Sequence, residues 1–260
     1  MTSPEALAAH AAFVPFAGDS MARKVHREGL LLLGGGRALL MQIAHPMVAR
    51  GVADHSRFRT DRVQRLLRTL RPMLAIVLGT KEQALIAAEG INRVHESVIG
   101  TGYAAKDPGL LLWVLATLID TSVVVHDRFV RPLSAEEKDA YYKDMRLVGS
   151  LLSIAPDVMP ENIEALQAYA AGMCETLAVT DEARDIAEAL FESNLLTWPL
   201  MRSIRGLTAG LLPGPLRTQF GLDWGRKRQM ALDAASRASR IVVPRLPARF
   251  RAPPWFLMPR

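Results

Sequence analysis

The chain contains one cysteine in 260 residues, Cys174, so no intramolecular disulfide can form and a CxxC metal site is absent. The thiol reads as a small buried hydrophobe. Aromatic residues make up only 6% of the chain against 50% for all hydrophobic residues. The apolar set is dominated by Leu, Ala, Val and Met, which favours helices over a β-rich fold. No run of alternating apolar and polar residues is long enough to argue a sheet. GxSxG is missing, and with it the commonest hydrolase signature; HxH and HExxH spacings are missing too. The start, MTSPEALAAHAAFVPFAGDSMARK, lacks a basic stretch followed by an apolar core, so it does not read as a secretory signal, and a cytoplasmic location is expected.

What is present is helical periodicity almost throughout, which predicts an all-α, single multi-helix globular domain, long enough to enclose a sizeable cavity. The expected division is an N-terminal segment over 1–20, a helical domain over 21–242, and an extended basic arm over 243–260. Asp19 and Ser20 can cap a helix reaching Leu33, with Gly34, Gly35 and Gly36 breaking it. Further helices are expected from Arg37 to about Val52 with an interruption near Pro46, from Asp61 to Leu78 with a kink at Pro72, and over 81–99. Asp107 and Pro108 supply a cap and a first-turn proline for an apolar helix, and Ser134 with Glu137 forms a capping box for the next, to about Ser153. Pro160, Thr180 and Thr197 mark later starts, and beyond Gly210 only 224–242 looks helical.

The segment 109–125 approaches membrane-spanning hydropathy, but it is short and contains Asp120, which costs about 2.5–3.5 kcal/mol at a bilayer centre. It reads as the buried central helix, with Asp120 protonated or paired to an arginine or histidine in the core. Charge is unevenly placed: residues 201–260 hold 12 Lys or Arg and 2 Asp, in a chain whose net charge is only +6. That basic end can meet anionic lipid or nucleic acid, or lie in solvent.

On the helix over 81–99, Ala84, Ala88, Ile91, His95 and Val98 form one apolar stripe, so the His95 imidazole should point inward. Such a histidine is either a core residue or a single axial ligand of the kind that holds haem iron. On the preceding helix, Arg65 and Thr69 stand four apart with Arg68 beside them. Guanidinium groups there can lie in solvent, or can meet carboxylates or bound oxygen. His45, His55, His126, Asp54 and Asp61 could be assembled into a metal site on paper, although no spacing supports it.

The segments GGGRALLMQIAHPMVARGV (34–52), RLLRT (65–69), VHESVIG (94–100), YAAKDPGLLLWVLATLID (103–120) and AGLLPGPLRTQFGLDW (209–224) occur in order over most of the chain. Together they resemble the MpaB and rubber oxygenase catalytic-domain family. The resemblance implies an all-helical haem b oxygenase that uses dioxygen on an apolar substrate of isoprenoid type. It matches His95 to the iron ligand of a VxxxHxxVxG segment, with Ile91 at the first valine, and Arg65 and Thr69 to the distal RxxxT motif. Two further positions depart from the pattern. Rubber-cleaving members carry a lysine where this chain has Arg68, which cannot ligate because arginine stays protonated. Many members carry a histidine where this chain has Leu115.

The expectation is therefore a haem-dependent oxygenase (oxidoreductase, dioxygenase class) with His95 on the iron and Arg65, Arg68 and Thr69 on the distal side. The partners expected are an apolar substrate and dioxygen, not nucleic acid, with peripheral contact to an anionic membrane left open. The rival readings are a haem carrier or sensor without turnover, and a helical membrane-surface protein without haem.

Overall fold

The computed structural model describes residues 13–55, 62–194, 196–254 and 258, with residues 62–68 described by their backbone alone. The fold is all-α, and its only sheet among the described residues is a two-residue hairpin. In chain order the helices are α1 (Met21–His26), α2 (Gly35–Ala44), α3 (Pro46–His55), α4 (Arg62–Leu78) and α5 (Lys81–Ser97). The hairpin follows as β1 (Ile99–Gly100) and β2 (Tyr103–Ala104). Then come α6 (Pro108–Phe129), α7 (Ala135–Leu151), α8 (Ile163–Thr176), α9 (Asp181–Phe191), α10 (Trp198–Leu211), α11 (Gly214–Gln219), α12 (Arg226–Val242) and α13 (Ala248–Arg251).

Helix starts follow the local chemistry. Ser20 accepts from the Arg23 amide, and Asp107 accepts from the amides of Gly109 and Leu110. Thr80 with Gln83 and Ser134 with Glu137 form complete capping boxes, each satisfying two backbone donors that the first turn leaves open. Asn162 and Thr180 cap α8 and α9 with a single bond each, accepting from the amides of Ala165 and Ala183. Thr197 stands at the start of α10 without a side-chain cap bond. The cap expected from Asp61 falls outside the described residues.

Three expectations need correction. The helix begun at Met21 stops at His26, and a 3-10 turn over Gly29–Gly34 leads directly into α2, which starts at Gly35. The triple glycine is thus a place of close approach, not a break. A Cβ on Gly34 would collide with Thr121 and Val125, and one on Gly36 with Thr208. Two helices can pass this near only where one of them lacks side chains. Helix α5 ends at Ser97, two residues early, because Ile99 and Gly100 pair with Tyr103 and Ala104. Finally, α11 is helical where only 224–242 was expected to be.

Helix α6 is the axis of the molecule. It is long and apolar enough to cross a membrane by length and composition, but about two thirds of its apolar window is buried against neighbouring helices. Its Leu111, Leu112, Leu115, Ile119 and Val123 join Ile76, Tyr141, Met145 and Leu151 in the main core. Its Trp113 enters a second cluster with Leu40, Met41, Ala170 and Leu212, and the indole donates to the Gln42 carbonyl. Fully burying one such aliphatic side chain stabilises the fold by about 1.5–3 kcal/mol.

The Asp120 carboxylate is paired, as its apolar setting required. Arg37 on α2 donates to it at 2.5 Å, to the Thr121 hydroxyl at 2.5 Å and to the Leu211 carbonyl at 2.9 Å. Beyond α12, the segment expected as an extended arm carries a 3-10 turn over Val243–Arg245 and the single turn of α13.

Candidate active site

The helix that carries His95 is fixed at both ends. The Thr80–Gln83 capping box starts it, and the buried Asn92 amide donates to the Leu151 carbonyl at 2.9 Å, tying its last turns to α7. Ala84 and Ala88 are fully buried, while Ile91, His95 and Val98 are half-buried. The apolar stripe therefore begins in the core and reaches the surface near His95.

Within that half-buried ring, His95 Nδ1 is sealed from solvent and makes no hydrogen bond among the described residues. The last turn of a helix ordinarily favours a cationic imidazolium. Here burial, and next the nearby Lys106 ammonium, hold the His95 pKa below its usual value. Both effects favour the neutral ring, one of whose nitrogens has no partner among the described residues. Lys106 itself is held at 2.6 Å by Glu96, whose pKa that hydrogen bond lowers.

An orphaned buried nitrogen in a ring held toward its neutral form would fit a metal ligand, since an imidazolium must lose a proton before it can bind. Asn92 was missed from sequence, because nothing distinguishes a polar residue beside an apolar stripe from a solvent-facing one. Of the expected distal residues, Thr69 is exposed on α4, the helix most extensively packed on α5. Arg65 and Arg68 lie on the same helix, with side chains outside the described set.

The paper metal site does not assemble. Among the described residues no group of three His, Cys, Asp or Glu side chains could hold a metal. His45 Nδ1 accepts from the Met47 amide at 3.2 Å, and His126 Nδ1 donates to the Arg131 carbonyl at 2.9 Å. Asp54 accepts from the Tyr103 hydroxyl at 2.7 Å, with His55 edge-on to that ring. Asp61 is outside the described residues.

A second concave site was not foreseen. A cleft of about 220 Å³ between α2, α6 and α8 has Arg37, Asp120, Gln167 and Cys174 in its lining. Burial raises the Cys174 pKa to about 11, so its thiol is inert, in keeping with the hydrophobe reading. Leu115, where a histidine was noted in many relatives, is buried against Gly149 in the main core.

The family described as ER-bound oxygenase mpaB/B′/rubber oxygenase, catalytic domain, matches residues 22–241. The chain belongs to that family. As a family of oxygenases, the mpaB and rubber oxygenases set its chemistry broadly among the oxidoreductases. Two uncharacterized mycobacterial proteins, Rv2237 of Mycobacterium tuberculosis and Mb2261 of Mycobacterium bovis, are similar to it. Each is 26% identical over 205 residues, spanning 74% of this chain and 80% of its own length. Within the mpaB and rubber oxygenase family, the order of segments from residue 34 to 224 falls inside the matched region, and so does His95.

Proposed function

We propose that this protein is a cytoplasmic haem b-dependent oxygenase that uses dioxygen on an apolar substrate of isoprenoid type, with His95 holding the iron. The observation that carries this reading is the His95 Nδ1 atom, buried and without a hydrogen bond among the described residues, in a protein of an oxygenase family. A native fold rarely leaves a buried imidazole nitrogen unsatisfied without a ligand to accept.

Haem b, when bound, supplies the iron at which dioxygen chemistry is done. The chain supplies the rest. The capped, anchored α5 sets the position of the imidazole, and desolvation together with Lys106 keeps it neutral and able to bind. Arg65 and Thr69 share a face of α4 and are assigned the role of orienting dioxygen by hydrogen bonds, with Arg68 adding fixed positive charge suited to carboxylates of the cofactor. Leu, Met and Val side chains exclude water from the apolar substrate.

The test is the absorption spectrum of protein expressed with ample haem, beside that of His95→Ala. A Soret band in the wild type, lost or shifted in the variant, supports the proposal. A wild type that purifies without such a band and takes up no added haemin overturns it. Leu115 in place of a histidine favours a second reading, a haem carrier or sensor without turnover. Oxygen consumption with prenyl substrates separates the two, since a carrier consumes none.

A further inference from the structure

The end of α12 and the turns after it combine two features that a water-facing surface does not ordinarily hold together. Leu232 and Ser236 are buried, and Ser239 donates to the Phe129 carbonyl at 2.6 Å, so this stripe of α12 faces α6. Helical spacing then turns Arg237 and Ile241 outward. Ile241 is 60% exposed, Val242 53% and Phe250 66%, and Leu246 is exposed beside them.

Interleaved with these apolar side chains are Arg237, Arg240, Arg245 and Arg249, all exposed. None of the four forms an ion pair among the described residues. No Asp or Glu occurs after Asp233. Arg237 and Arg240 also line a groove of about 400 Å³ between α6 and α12, shared with Arg128. The two carboxylates in that groove are already matched: Asp233 is held by Arg128 at 2.5 Å and Asp127 by Lys138 at 2.7 Å. Arg237 also acts on Asp233, so the groove is compensated in part and keeps an excess of positive charge, and the turn beyond it holds Arg245 and Arg249 with no carboxylate after Asp233.

We infer that residues 237–250 dock the protein on an anionic bilayer, with the four arginines on lipid phosphates and Ile241, Val242, Leu246 and Phe250 entering the headgroup and acyl boundary. Charge complementarity selects an anionic surface, and the exposed apolar side chains select lipid over other polyanions. A nucleic-acid backbone would match the arginines and leave Ile241, Val242 and Phe250 in water, with the hydrophobic gain unrealised. Arg249 lies over the Phe250 ring, its guanidinium carbon 4.9 Å from the centroid, so a cation and an apolar ring are presented together.

The test is flotation of the full chain with phosphatidylcholine vesicles and with vesicles containing a third phosphatidylserine, at low and high salt. Binding to the anionic vesicles should exceed that to neutral ones by roughly tenfold or more and weaken with salt. Reversing Arg237, Arg240, Arg245 and Arg249 to Glu should abolish it. Ile241→Ser with Phe250→Ser, which keeps every charge, should lower it by roughly threefold or more. All these side chains are exposed, and circular dichroism with the melting temperature checks that the variants fold.

No binding to anionic vesicles, equal binding to neutral ones, or undiminished binding of either variant overturns the inference, as does displacement from vesicles by equimolar duplex DNA. The inference is independent of haem: His95→Ala should float as the wild type does, so failure here and failure of the haem proposal are read separately.

Discussion

Arg37 and Asp120 meet at 2.5 Å in the interior, where α2 crosses the central helix, and both side chains are almost wholly shielded from water. The pair ties two apolar helices together at one point. The Arg37 guanidinium also binds Thr121 and the Leu211 carbonyl, so α2, α6 and α10 share one polar clamp.

Breaking that clamp from one side leaves a buried charge without its counterpart. Arg37→Met or Asp120→Leu should each cost about 3–5 kcal/mol, measured by urea denaturation. The double variant should be clearly more stable than the sum of the two losses implies, because no lone charge remains. Strictly additive losses would show that the pair acts as two independent sites.

The close approach at the triple glycine gives a second prediction. Gly36→Ala should destabilise the protein by about 1–3 kcal/mol, since its new methyl group would overlap Thr208. Combining it with Thr208→Ala should recover part of that loss. Gly35, with nothing near its side-chain position, should tolerate the same substitution with little change.

Stability should fall in acid through the histidines. Burial holds the His26 pKa at about 4, below its ordinary value of 6.5, with Nε2 placed 3.2 Å from the Tyr141 hydroxyl. Between those pH values the unfolded chain binds a proton that the folded chain refuses. The stabilisation is therefore complete above pH 6.5 and is lost as the pH falls toward 4. The ring retains some solvent contact, so its share is at most on the order of 3 kcal/mol. Denaturant titrations across that window should show the slope, and His26→Gln should flatten it. His45, His95 and His126, also lowered chiefly by burial, add slopes of the same sign.

Helix α5 should depend on its first turn. Thr80→Ala removes the acceptor for the Gln83 amide and should cost about 0.5–2 kcal/mol, read as a lower melting temperature. Asn92→Leu cuts the tie to the Leu151 carbonyl and leaves that acceptor without the Asn92 amide, an added loss of about 1–3 kcal/mol. Under the haem proposal both should also loosen cofactor retention, in step with the fraying of α5.

Arg68 bears on the same proposal. A permanently protonated guanidinium offers no lone pair, so resting ferric protein should be five-coordinate or water-ligated. Resonance Raman should find no nitrogenous sixth ligand in the wild type, whereas Arg68→Lys restores a residue able to provide one.

Helix class, most helix starts and the need for Asp120 to be either paired or protonated were legible in the sequence, because caps, periodicity and the burial of a carboxylate act within a few residues of one another. Spacing alone also put His95 on the apolar stripe of its helix, since one helical turn repeats every 3.6 residues whatever the fold. What surrounds those residues depended on packing between distant segments. That Gly34 and Gly36 admit crossing helices, where local rules read a break, came only from the packing. So did the answer of Arg37 to Asp120 across 83 positions, the anchoring of α5 by Asn92, and the burial of His95 Nδ1 with no hydrogen bond among the described residues. A hydrogen bond needs two partners at a fixed distance, and the chain order of one says nothing about where the other will stand.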